Sequence, residues 1–135
     1  MEQQQPPPTL LALLVCDQVI QDAMTKKHSL IGLFSRISAK GFPCTHPQLH
    51  VFVSLTDGHG RAQGQLRLVR KDAEPAAPVL QLAGAIEFPN PLAVIELVFN
   101  IGNLTLPAPG RYSFDFYCND VLLGSRPFEV VKAEG

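Results

Sequence analysis

Apolar and polar residues alternate along several short stretches of this chain, and a period of two predicts β-strands. The clearest case lies near the carboxyl end, where the alternation places Tyr112, Phe114 and Phe116 on one side. A turn at residues 119–120 then reverses the chain into a second apolar run that ends at Val131. Two such runs joined by an Asn-Asp turn are typical of a β-hairpin with one face on a core.

The same reasoning predicts strands over most of the chain. They cover residues 9–16, 29–38, 48–56, 62–70, 79–88 and 92–100, followed by the two strands of the hairpin. Residues 17–27 are predicted as a polar connection, residues 39–47 as a loop, and residues 57–60 as a hairpin turn between antiparallel strands. Short strands, turns rich in Gly and Pro and no long helical period predict an all-β fold, an immunoglobulin-like antiparallel β-sandwich of about seven or eight strands.

A Pro-Ala-Pro-Gly turn leads into Tyr112. In immunoglobulin-like sandwiches a tyrosine at such a corner packs its ring in the core while its hydroxyl bonds back to the backbone. We therefore expect Tyr112 to form a structural corner. The chain has no Trp, so the tryptophan typical of antibody domains is missing and the prediction concerns architecture only.

At 135 residues the chain has the length of one domain. Residues 9–132 are predicted to form a single β-sandwich domain, and the Gln- and Pro-rich residues 1–8 a disordered tail. Residues 10–16 resemble the apolar part of a short signal peptide that ends in a lipobox-like cysteine. However, no positive charge precedes them, and Val15 stands where a small residue is expected. We therefore expect a first strand here.

The formal net charge is −1 and the basic residues are scattered, which predicts neither nucleic acid nor an anionic membrane as a partner. No apolar run approaches the roughly 20 residues of a transmembrane helix. The three cysteines lack the spacing of a disulfide framework, which predicts reduced thiols and a cytoplasmic location. Only 17% of the residues are charged, so some apolar surface is expected to meet a protein partner or a second copy.

Cys44, His46 and His50 are the best candidates for chemistry. Residues at even spacing on a strand project to one face, so the three could offer ligands to zinc. Against this, Pro43 and Pro47 interrupt the spacing, and no fourth ligand is evident. The primary prediction is therefore no metal and no cofactor. Binding of a metal or a small molecule by these three residues is the alternative.

Two further residues have a functional and a structural interpretation. His59 could act as a general base on a loop, but the sequence pairs it with no serine or cysteine nucleophile. Asp17 directly follows the first predicted strand and is either a site carboxylate or a turn cap. The chain also lacks the phosphate-binding, dinucleotide, metalloprotease and hydrolase motifs. We therefore predict no enzymatic activity.

The front half of the chain carries a recognisable series of short motifs. They are Cys16-Asp17, then Lys27-His-Ser-Leu-Ile-Gly-Leu-Phe-Ser-Arg-Ile, then Gly41-Phe-Pro, then His46-Pro. This pattern, with the alternating strand after it, resembles a family of small uncharacterised bacterial proteins over residues 10–131. The resemblance implies a compact β-sandwich of bacterial, cytoplasmic origin, and it implies no catalytic residues.

Together these features predict a protein-interaction or assembly module of unknown biological role, with self-association by edge pairing as its simplest form. Phe52 and Tyr117 are the interface candidates, because the alternation turns them outward and aromatic residues are enriched in interface cores. Ser113 and Asp115 are predicted to face outward as well. Contact with the N-terminal tail or with the loop at residues 71–78 is the alternative for both aromatic residues.

Overall fold

A computed structural model describes residues 6–73 and 78–134, and within these ranges the chain forms nine strands and no helix. The prediction of an all-β fold is confirmed. The strands are β1 (Thr9–Gln21), β2 (His28–Leu33), β3 (Arg36–Ala39), β4 (Cys44–Thr56), β5 (Gly60–Arg70), β6 (Pro78–Phe88), β7 (Ile95–Leu106), β8 (Gly110–Cys118) and β9 (Val121–Lys132). Residues 1–5 of the predicted tail and residues 74–77 of the predicted loop lie outside the described ranges.

The strands are arranged in two sheets. Sheet A has the order β2-β1-β4-β7, and sheet B, a curled half-barrel, has the order β3-β9-β8-β5-β6. Neighbouring strands pair antiparallel, apart from β3 and β9, which run parallel. The predicted final hairpin is confirmed as β8 and β9, which lie side by side within sheet B.

The core lies between the two sheets. Its largest fully buried side chains come from β8, namely Tyr112, Phe114 and Phe116, so the predicted inward side of this strand is confirmed. The rings of Tyr112 and Phe114 stack on Phe128 of β9, with centroids 5.7 and 5.4 Å apart. From sheet A, β4 contributes the four aliphatic residues predicted to share a face: Leu49, Val51, Val53 and Leu55.

Three sequence predictions about connections are wrong. Residues 17–21 continue β1 and residues 44–47 begin β4, because both segments gain backbone partners although their side chains are largely polar. The turn at residues 57–60 joins sheet A to sheet B rather than closing a hairpin, since β4 and β5 belong to different sheets. Its positive φ angles fall on Asp57 and Gly60, while Gly58 packs so tightly on the Phe88 ring that a Cβ would clash.

Beyond Cys16, β1 leaves β4 and pairs with β2 alone, so that residues 17–33 form a two-stranded ribbon, which we call the arm. Asp22 makes its turn, accepting hydrogen bonds from the backbone N–H groups of Met24 and Thr25 at 2.8 Å each. Lys26 completes the turn with a φ of 64°.

The arm folds back over the outer face of sheet A. His28 at its tip pairs in register with Gln21, whereas Glu96 lies in the row of Ala12 and Ser54. Nine residues of β1 separate the two rows, which amounts to roughly 30 Å along a straight strand. Yet His28 Nδ1 lies 2.8 Å from Glu96 Oε1, so the ribbon must reverse across the sheet.

Candidate functional site

The structure does not gather the three candidate metal ligands on one face. Cys44 and His46 pair with Leu106 and Leu104 of β7, which belong to the core, whereas His50 pairs with the exposed Asn100. The alternation shifts at Pro47 on β4 and at Asn103 on β7, where φ is +51°. A shared face would need unbroken alternation from residue 44 to residue 50, and the interruption at Pro47 that the sequence indicated prevents it.

His50 instead ties the base of the arm to the sheet. Its Nδ1 lies 3.1 Å from the backbone carbonyl of Asp17, and because a carbonyl only accepts, Nδ1 is the donor. Among the described residues, no group of three or more His, Cys, Asp or Glu side chains has the arrangement of a metal site.

His46 lines an open cavity at one end of the two-sheet body. The cavity has a volume of about 240 Å³ and is lined by Asp17, Phe34, Arg36, Ile37, Ser38 and His46. The rings of Phe34 and His46 lie 6.0 Å apart between centroids, tilted by 42°. Sequence reasoning named Asp17 and His46 separately, but their meeting here depends on the bend of the arm, which no local pattern encodes.

Phe52 is predicted to face outward as an interface candidate, but its side chain is not exposed. Phe52 does lie on the outer face of sheet A, but only 6% of it is exposed. The arm covers it, with the His28 ring packed edge-on at 5.8 Å from the Phe52 ring. Period-two alternation predicts which side of a strand a residue occupies; it does not predict whether a second layer covers that side.

Tyr117, the other interface candidate, is half-buried. The Arg67 guanidinium lies over its ring, 4.6 Å from the centroid. One face of the ring is thus occupied by a cation–π contact within the chain.

Asp115 and Ser113 were predicted to face outward, yet Asp115 is only 4% exposed. The Ser113 hydroxyl donates to Asp115 Oδ1 at 2.8 Å, and Lys71 Nζ lies 3.6 Å from Asp115 Oδ2. Strand β8 is the middle strand of sheet B, so its outer side chains have neighbours on both sides. Facing outward therefore does not leave these two side chains exposed, since a polar side chain in a central strand can be covered and still have hydrogen-bond partners.

Tyr112 is fully buried, and its hydroxyl donates to the backbone carbonyl of Ala108 at 2.6 Å. Burial raises the pKa of this hydroxyl above its usual value. The hydrogen bond spans four residues and fixes the turn that enters β8.

All three cysteines are free thiols. Burial raises the pKa of Cys16 and of Cys118, which keeps these thiols protonated near neutral pH. His59 is exposed in the turn between β4 and β5. Within the described ranges its ring makes no hydrogen bond to a serine or cysteine, as a paired nucleophile would require.

Three exposed apolar side chains lie on the outer face of the arm. Ile20 is 44% exposed, Ile31 is 46% and Leu33 is 57%. The register places these three side chains on one face of the ribbon. Ile31 lies opposite Gln18 and Ile20 lies opposite Ser29, and residues two apart on a strand share a face. Met24 extends this strip, which we call the arm strip, at the turn.

These features define an all-β protein of two sheets with an appended arm. Residues 11–131 match a family of unknown function, DUF6941, and the chain therefore belongs to this family. No curated protein matches the chain. Within the described residues, no helix has the length and apolar character needed to cross a membrane.

Parts of several solved structures resemble this fold. The alkylpurine DNA glycosylase AlkC of Pseudomonas fluorescens, bound to DNA with an abasic site analog, matches with a TM-score of 0.53 at 11% identity, over 92% of this chain and 30% of its own. A Listeria innocua β-glucosidase in complex with isofagomine matches with a TM-score of 0.48 at 11% identity, over 92% of this chain and 16% of its own. This chain thus spans less than a third of either protein, and the likeness to the glycosylase concerns the fold alone.

Proposed function

We propose that this protein is a non-enzymatic interaction module that associates with a second copy of itself through the arm. The observation that carries the proposal is the composition of β2, the outermost strand of sheet A. Its six residues, His-Ser-Leu-Ile-Gly-Leu, include no Asp, Glu, Lys or Arg. Protein edge strands are usually protected by such charges, because an unprotected edge pairs with other strands.

The other edge strands differ in this respect. Within the described residues, β3 carries Arg36, β6 begins with Pro78 and carries Glu87, and β7 carries Glu96. Strand β2 thus offers a row of backbone donors and acceptors with no charge to repel a partner.

The arm strip lies on the same ribbon as this edge. Two β2 strands paired antiparallel about a twofold axis would form a four-stranded layer, with Ile31 and Leu33 of both copies on one face. Such a layer satisfies the backbone groups of the edge and joins two small apolar patches into one. A net charge of −1 supports a protein as the partner over nucleic acid or an anionic membrane.

The proposal also includes a more specific architecture and a cellular setting. An immunoglobulin-like architecture is supported by the hydrogen bond from Tyr112 to Ala108. A cytoplasmic setting is supported by the three free thiols, which suit a reducing compartment.

The mass of the protein in solution, measured by light scattering on a gel-filtration column, tests the proposal. We expect a dimer for the wild type and a weakening of at least about tenfold in dimer affinity for Ile31→Lys, which places a charge on the edge. Leu92→Lys is the matched control, since Leu92 is 88% exposed in the connection between β6 and β7. A monomeric wild type, or an Ile31→Lys variant as dimeric as the control, would overturn self-association.

Binding of a small molecule is a second candidate, and the cavity beside His46 favours it. Of the three residues predicted for such a site, His46 alone lines this cavity.

A further inference from the structure

We propose that the cavity lined by Asp17, Phe34 and His46 is a binding site for a cationic group, an ammonium or a guanidinium. This inference is independent of the self-association proposed above. It rests on where the Asp17 carboxylate is held, on how the charge of Arg36 is neutralised, and on the two aromatic rings in the cavity wall.

The Asp17 side chain lies close against the neighbouring strand. Asp17 lies across the ribbon from Gly32, whose φ is +75°, and its carboxylate occupies the space where a Cβ at Gly32 would project. Glycine is therefore required at this position for two reasons, its backbone conformation and the close approach of the carboxylate. In the part of the chain that the structure describes, no donor bonds to this carboxylate.

The charges around the cavity favour a cation. Arg36 is the other charged side chain in the wall, and both its Nε, at 2.9 Å, and its Nη2 donate to Glu129 Oε1. Glu129 therefore balances the charge of Arg36. Among the described residues that line the cavity, Asp17 supplies the one carboxylate; this residue is exposed, and its carboxylate forms no ion pair with another described residue.

The aromatic wall adds a second attraction. Phe34 and His46 both line the cavity and are half-buried, with their ring centroids 6.0 Å apart. A cation placed near the face of an aromatic ring is attracted by its quadrupole, with Phe the effective partner here. A carboxylate beside an aromatic face distinguishes an ammonium or guanidinium from a neutral group of the same size.

The size of the cavity limits the ligand. A volume of about 240 Å³ lies below the range of roughly 300–1,000 Å³ found for drug-sized ligands. The cavity therefore suits a single lysine or arginine side chain of another protein, or a small free amine, rather than a nucleotide or a large cofactor. Both sources present the same cationic chemistry.

Titration followed by ¹H–¹⁵N NMR tests the site. Butylammonium and methylguanidinium are the probes and butyramide is the neutral control. We expect saturable shifts of the Phe34 and His46 amides with a Kd on the order of 1 mM for the cations, and none with butyramide. Asp17→Asn keeps the shape of the side chain and should weaken binding of both cations about fivefold.

Asp120→Asn is the control variant, because it removes one exposed carboxylate from the distant β8–β9 turn. Equal binding by the Asp17→Asn and Asp120→Asn variants, or equal shifts with butyramide, would overturn the proposal. A second titration distinguishes the two sources. Tighter binding of a lysine-containing peptide than of butylammonium supports a protein ligand, and the reverse supports a free amine.

Discussion

The molecule contains two hairpins that differ in how they meet the body. Strands β8 and β9 lie within sheet B, and β8 has a paired strand on each side. In the arm, β1 and β2 pair with each other alone after Cys16 and fold back over sheet A. The first hairpin hides its aromatic side in the core, whereas the second leaves Ile20, Ile31 and Leu33 partly exposed.

Strand faces in this molecule are therefore buried for two different reasons. The inner face of β8 is buried because two sheets pack together, and the outer face of β4 is buried because one ribbon lies on it. A packed interior resists collapse around a cavity, while a two-stranded ribbon that covers only the outer face of a sheet can shift to close a gap. The two hairpins should therefore respond differently to equivalent changes.

The largest expected effect comes from truncating one aromatic ring under each layer. Phe114→Ala removes a fully buried ring stacked on Phe128 and should lower the free energy of unfolding by about 3–5 kcal/mol. Phe52→Ala removes a ring beneath the arm and should cost about 2 kcal/mol, because the arm can settle into the space. Urea denaturation of both variants measures the difference. Equal losses would mean that the arm is as rigid a part of the interior as sheet B.

The next effect concerns the backbone of the arm. Gly32→Ala forces a side chain into a φ of +75° against the Asp17 carboxylate and should cost about 1–2 kcal/mol. Gly84→Ala in β6 is the control, since a Cβ there meets nothing within 4 Å. Because Gly weakens a strand, this control should gain roughly 0.5 kcal/mol.

Thermal unfolding compares the two glycine variants. A Gly32→Ala protein as stable as the wild type would mean that the arm adjusts its backbone without loss, and that the approach of Asp17 to Gly32 is not required.

A smaller effect is expected from a change at the turn that enters the β8–β9 hairpin. Tyr112→Phe removes the hydroxyl that donates to Ala108 and leaves a carbonyl unpaired, which should cost about 1 kcal/mol. Tyr117→Phe is the matched control, because no hydrogen bond of the Tyr117 hydroxyl exists among the described residues, and it should change stability by less than about 0.5 kcal/mol. An equal loss of stability in Tyr117→Phe would show that the hydrogen bond from Tyr112 to Ala108 does not stabilise this hairpin.

The two hairpins also differ in how far the sequence predicts them. The β8–β9 hairpin follows from local alternation, because its inner face packs on the core that every strand of the sheet shares. The arm does not, since residues 17–27 around its turn are largely polar and its cover over Phe52 depends on a contact between His28 and Glu96, 68 residues apart. The cavity beside Asp17 was unpredictable for the same reason, although Asp17 and His46 each stood out alone.

The smallest effect concerns the turns of the two hairpins in acid. Hydrogen bonds from the Thr25 and Met24 N–H groups lower the pKa of Asp22 below its usual value. The folded arm thus favours the ionised carboxylate, and this contribution is complete above the unfolded pKa of about 3.9 and is lost as the pH falls through the folded pKa. In the other turn, Asn119 Oδ1 accepts from the Gln63 N–H at 2.8 Å, and an amide does not titrate.

We therefore expect the amide NMR signals of Met24 and Thr25 to shift with pH around a midpoint below about 3.9, while the signal of Gln63 stays constant. Asp22→Asn is the control, because an amide oxygen can accept the same two hydrogen bonds at every pH, and its Met24 and Thr25 signals should not titrate. A midpoint at or above about 3.9 in the wild type would show that these bonds do not favour the ionised form. The turn of the arm would then gain nothing from its aspartate over the asparagine that serves the β8–β9 turn.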